Sequence, residues 1–108
     1  MEALSSAWLL SQRHQVTIYE ASDEIGGQFN LAKRVPGKEE FHETLRYFRH
    51  KLEETGVEVR LGTRVGPAQL AGFDEIVLAT GIRPRKVDFP GSDHPKVVSY
   101  LDVLGGKV

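Results

Sequence analysis

Apolar residues recur at helical spacing from the first residues onward. Ala3, Leu4, Ala7, Trp8 and Leu10 form a stripe that predicts a helix over residues 1–12. Arg13 and His14 follow it, where cations suit a helix C-terminus. Residues 15–20 change period: Val16 and Ile18 alternate with Gln15, Thr17 and Tyr19, which predicts a strand ending at Glu20. Gly26-Gly27 marks a bend, and residues 28–38 read as irregular, ending in a Pro36-Gly37 turn. The clearest helix spans residues 39–55, with Phe41, Leu45, Phe48 and Leu52 on one face. Glu39 and Glu40 sit at its start, Arg49, His50 and Lys51 towards its end, and Gly56 just beyond it.

Val57, Val59 and Leu61 then alternate as a short strand. Pro67 to Gly72 reads as a turn with some helical character. Ile76-Val77-Leu78-Ala79 is the longest apolar run and predicts a buried strand over residues 75–80, ended by Gly81. Residues 82–96 are rich in Pro, Gly and charge and read as loop. Residues 97–104 read as a short extended or helical segment. Helices alternate with strands, so the class is α/β with a parallel sheet and a single domain over residues 1–108. One feature breaks the pattern: a helix comes first, with no strand before it.

Composition narrows the chemistry. The chain has 108 residues, a net charge of -1 and no cysteine. That charge gives no support to a nucleic-acid or membrane surface. The missing cysteines exclude disulfides, thiolate metal sites and cysteine nucleophiles within this chain. No apolar run approaches a membrane span. Glu2 and the short Trp8-Leu9-Leu10 run do not make a signal peptide, so a cytoplasmic location is the default. His14, His42, His50 and His94 match no metal-ligand spacing, and no serine lies in a nucleophile-elbow setting.

Three features could carry function. Glu20 ends a strand, the position from which a carboxylate accepts hydrogen bonds from an adenosine ribose; it could equally be a solvated acid. Gly26-Gly27 would let backbone approach a phosphate or sugar, with the Gln28 amide beside it, or be a plain turn. Ala79-Thr80-Gly81 would place a small corner at the carboxyl end of a sheet, or be an ordinary strand end. Lys33, Arg34 and Lys38 could face a pyrophosphate or lie in solvent. No complete Gly-x-Gly-x-x-Gly occurs.

The order of these pieces, together with Glu24-Ile25-Gly26-Gly27-Gln28-Phe29-Asn30-Leu31-Ala32-Lys33, Pro36-Gly37-Lys38-Glu39-Glu40-Phe41 and Ser99-Tyr100-Leu101-Asp102-Val103-Leu104, resembles the bacterial NADPH-dependent 2,4-dienoyl-CoA reductase family. The resemblance runs from about residue 14 to residue 104. It implies the FAD-binding lobe of a flavoenzyme of fatty-acid β-oxidation, an incomplete Rossmann-like domain lacking its first strand and glycine-rich turn. Glu20 would then meet the adenosine ribose, Gly26, Gly27, Gln28 and Lys38 the ribose–pyrophosphate region, and the backbone of Val65 the adenine. Thr80 and Gly81 would approach the flavin. In that family electrons pass from NADPH to FAD, then through an iron–sulfur cluster to FMN. The barrel, the cluster and the second nucleotide lobe have no counterpart here, so no catalytic residue and no metal ligand is assigned. FAD binding by this chain alone is expected to be weak or absent.

Two alternatives stand beside this reading: a non-enzymatic folded remnant acting through a sheet edge, and an NAD-only Rossmann domain in which Glu20 would oppose a 2′-phosphate. The absent first strand would leave strands 15–20 and 75–80 each with an open edge. Direct pairing of those two strands, or a homodimer through the edge, is therefore expected.

Overall fold

A computed structural model describes residues 2–108, with the side chain of Glu2 left out; the part of the first predicted helix that falls on Met1 lies outside the described residues. The order is α1 (Glu2–Leu10), β1 (Thr17–Tyr19), α2 (Phe29–Ala32), α3 (Phe41–Thr55), β2 (Glu58–Arg60), α4 (Pro67–Leu70) and α5 (Tyr100–Leu104). β1 and β2 pair in parallel, with Ile18 opposite Val59. The fold class is thus α/β with a two-stranded parallel sheet among the described residues.

The core is where the helical stripes meet the strands. Leu4 and Ala7 of α1, Leu45 and Leu52 of α3, Ile25 and Val57 are buried, with Val16, Ile18, Phe29, Phe48 and Val59 packed around them. α1 lies against both α3 and β1. Burying a leucine of this kind is worth about 1.5–3 kcal/mol. The face predicted for α3 is the face buried: Leu45 and Leu52 are inside, Phe48 is half-buried, and Phe41 stacks on Phe29 at 4.5 Å between ring centroids. Gly56 ends α3 at φ +72, and its N–H and that of Val57 bond back to Leu52 and its neighbours in the last turn.

Four expectations need correction. The first helix ends at Leu10 rather than residue 12, and Leu10 is exposed rather than part of the stripe. Residues 28–38 are not wholly irregular, because backbone bonds from Phe29 onward close the short helix α2. Residues 75–80 run without a ladder partner and do not form the buried strand; Leu78 is 79% exposed. Direct pairing of that segment with β1 does not occur either, since β1 pairs with β2. An apolar run specifies burial only when a neighbour is present to bury it, and here neither β1 nor β2 lies beside it.

Candidate functional site

β1 and β2 both point their carboxyl ends at the loops 20–22 and 61–63. Parallel strands fix this, because each loop leaves the sheet at the same end. The two loops are stitched together: the Thr63 N–H donates to the Glu20 carbonyl at 2.9 Å, and the Gly62 N–H to the Ser22 carbonyl at 2.6 Å. The Glu20 carboxylate is bonded at this end. Its Oε1 accepts from the Ser22 N–H at 3.1 Å and from the Ser22 hydroxyl at 3.2 Å. The same hydroxyl also lies 2.7 Å from the Glu24 carbonyl, so Ser22 ties the carboxylate to the loop that follows it.

That loop runs through buried Ile25 to Gly26 and Gly27, both with positive φ, at +117° and +54°. Gly26 is packed: a Cβ there would lie 2.8 Å from Leu45 Cδ2. Gly27 is open, with nothing within 4 Å of a Cβ position. The two glycines therefore differ in kind. One seats the loop on α3, and the other presents bare backbone to solvent. Gln28 is exposed beside it. Asn30 fixes the bend from below, donating to the Ile25 carbonyl at 2.8 Å and accepting from Lys33 at 3.1 Å.

Lys38 is exposed, with its ammonium 5.7 Å from the Phe41 ring centroid. The Phe41–Phe29 stack links it to the start of α2. Val65 is half-buried, two residues past Thr63. The structure thus brings Glu20, Gly26, Gly27 and Gln28 onto one continuous loop, with Thr63 bonding the segment that leads to Val65 against its start. It does not bring Thr80 and Gly81 to the sheet, since both are exposed on the unpaired stretch.

Ser22, Asn30 and Arg34 received no structural role from the sequence. A serine two residues beyond Glu20 is a signal for the turn that orients the carboxylate. Asn30 follows Gly26-Gly27 closely, and its amide has no local pattern that assigns it to the Ile25 carbonyl. Arg34 donates to the Leu104 carbonyl at 2.9 Å across 70 residues, which no local pattern announces.

An open hollow of about 430 Å³ lies at the opposite, amino end of the strands, lined by residues 11–16 and 55–57. It holds no convergent carboxylates, and α/β folds bind ligands at the carboxyl end, so the chemistry points to the Glu20 loop. Among the described residues no three His, Asp or Glu side chains gather as a metal site, and no helix is long and apolar enough to cross a membrane.

No protein-family model matches the chain. It is similar to part of several curated proteins. An N,N-dimethylglycine/sarcosine dehydrogenase of Chromohalobacter salexigens is 39% identical over 103 residues, which is 88% of this chain and 15% of that protein. A metal reductase of Desulforamulus reducens is 34% identical, covering 87% of this chain and 15% of the relative. An NADH oxidase of Thermoanaerobacter brockii is also 34% identical, covering 88% and 15%. Among solved structures, a 2-naphthoyl-CoA reductase in complex with 2-naphthoyl-CoA matches 97% of this chain and 16% of that one, with a TM-score of 0.88 and 33% identity. The chain therefore spans about 15% of the length of the curated relatives it matches, and each of these proteins is named for a redox reaction.

Proposed function

We propose that this chain is the part of a flavin-dependent oxidoreductase that holds the adenosine half of FAD. The observation that carries the reading is the Glu20 carboxylate, held by Ser22 at the carboxyl end of a parallel strand, with Gly26 and Gly27 further along the same loop. The residues fit that half of the cofactor. Glu20 supplies an acceptor for ribose hydroxyls, and Gly27 offers a backbone N–H with no side chain in the way. Gln28 and Lys38 supply exposed polar groups for the ribose–pyrophosphate region, and the backbone of Val65 lies on the segment stitched to the Glu20 loop. When bound, FAD supplies the two-electron chemistry; the residues named here bind and orient it.

The reading extends beyond these residues. NADPH as electron donor, and an unsaturated acyl-CoA as acceptor, come from the resemblance to dienoyl-CoA reductases. The naphthoyl-CoA reductase complex is named for a CoA ester, which favours the acyl-CoA acceptor of this reading. Such a reaction would belong to a much longer protein, in which this chain contributes cofactor binding and no catalytic residue. Thr80 and Gly81 complete the flavin side only if residues 75–80 move against the sheet.

Titration of the labelled chain with ADP, and separately with FAD, tests the proposal through amide NMR shifts. The Gly26, Gly27 and Val65 amides are expected to move. Glu20→Gln is expected to weaken ADP binding by tenfold or more, in line with the roughly 1.5–3 kcal/mol of hydrogen bonds to a charged acceptor. Unmoved amides at those three positions, with either ligand at saturating concentration, would refute the assignment.

A further inference from the structure

Ser22 joins three pieces of backbone and one carboxylate at the carboxyl end of the sheet. Its carbonyl accepts from the Gly62 N–H at 2.6 Å, which binds it to the loop leaving β2. Its N–H and its hydroxyl both reach Glu20 Oε1, at 3.1 and 3.2 Å. The hydroxyl also lies 2.7 Å from the Glu24 carbonyl, on the way to Gly26. A serine hydroxyl carries a single proton, so the carboxylate and the carbonyl share it. Every one of these bonds joins residues between 20 and 62, and none depends on chain beyond that stretch.

The two oxygens of Glu20 are thereby made unequal. Oε1 is occupied by Ser22, and Oε2 accepts no hydrogen bond among the described residues. The Glu20 backbone is fixed too: its N–H donates to the Arg60 carbonyl at 3.0 Å, and its carbonyl accepts from the Thr63 N–H at 2.9 Å. An unrestrained glutamate spreads over many rotamers, and a ligand that needs one of them bears the entropic cost of selecting it. Here the strand end fixes the backbone and Ser22 fixes the head of the side chain, so Oε2 is presented before a ligand arrives. Ser22 itself is exposed and lies outside the buried core. Its side-chain bonds serve the carboxylate and its loop rather than the packing of the chain.

We infer that Ser22 is a positioning residue for nucleotide recognition, its hydroxyl holding Glu20 Oε1 so that Oε2 takes the hydroxyls of a ribose. The inference rests on the adenosine-site reading and adds to it a residue that acts through Glu20 rather than on the ligand. It also separates two kinds of nucleotide. A ribose with its hydroxyls donates to Oε2 and gains from having that oxygen held in place. A sugar without them has nothing to donate, so its binding is indifferent to Ser22.

Titration of the full chain with ADP and with 2′,3′-dideoxy-ADP, with Kd read from amide NMR shifts, tests this. Ser22→Ala is expected to weaken ADP binding by about threefold to tenfold, the net worth of one hydrogen bond, and dideoxy-ADP binding by less than about twofold. Ser22→Thr keeps the hydroxyl and is expected to bind ADP as the parent does. In a Glu20→Gln background, Ser22→Ala is expected to change nothing further, because the two act as one unit. Equal weakening for both ligands makes Ser22 a structural support alone and overturns the inference. So does a Ser22→Thr chain that binds ADP as weakly as Ser22→Ala, and so does an ADP affinity that Glu20→Gln lowers while Ser22→Ala leaves it unchanged. A parent chain that binds neither nucleotide or both equally, or that is indifferent to Glu20→Gln, overturns the adenosine-site reading and this inference with it.

Discussion

Leu45 Cδ2 stands 2.8 Å from the point where a Cβ on Gly26 would lie, and Gly26 holds φ at +117°. The loop that presents Gly27 to solvent is therefore seated on α3 by the absence of a side chain. Leu45 is 4% exposed and packed among Leu4, Ala7 and Leu52, so it has little freedom to yield. The candidate site and the core meet at this contact.

Gly26→Ala is accordingly expected to destabilise the chain by about 1–3 kcal/mol, combining overpacking with backbone strain. Gly27→Ala meets open space and pays only for the left-handed conformation, about 1–2 kcal/mol. Urea unfolding followed by circular dichroism ranks the two. A Gly27 variant less stable than the Gly26 variant would contradict the packing described.

Arg34 holds the far end of the chain. Its guanidinium satisfies the Leu104 carbonyl in the last turn of α5, whose start is capped by Ser99 accepting from the Asp102 N–H at 3.2 Å. Arg34→Ala leaves that carbonyl to water and is expected to weaken α5 docking on α2 by about 0.5–1.5 kcal/mol. Faster amide exchange at residues 103–105, with α3 unchanged, is the expected signature. Equal exchange in variant and parent would show that Arg34 does not anchor the helix.

Glu39 gives a pH-dependent handle. Its own backbone N–H, then that of Gly37 at 3.1 Å, hold its carboxyl below the ordinary carboxylate value, with His42 adding a smaller contribution. A lowered value in the fold means stability that is complete above the unfolded carboxylate pKa and is lost as pH falls through the folded one. Glu39→Gln is thus expected to be the less stable form at neutral pH, with the gap closing in the acid range. Midpoints of urea unfolding along the acid limb measure this; a gap that stays constant with pH would rule the mechanism out.

Much of the candidate site was legible in the residues. An acid closing an alternating segment and paired glycines soon after are local features, and the structure sets them on one loop at the carboxyl end of β1. The support of that loop was not legible. Ser22 holding the Glu20 carboxylate and Asn30 bracing the Ile25 carbonyl are choices of rotamer and turn, which a polar residue in a loop leaves undetermined until neighbours select one.

The sequence by itself determined α3, the C-terminal stop at Gly56 and the two short strands, because periodicity and a left-handed glycine act within a few residues, and the helix between the strands pointed to their parallel sense. Only the tertiary structure decided that Ile76–Ala79 stays exposed, that Gly26 rests on Leu45 and that Arg34 reaches Leu104. Each of those depends on a partner distant in the chain, and an apolar run can state that it needs a neighbour without stating which neighbour is there.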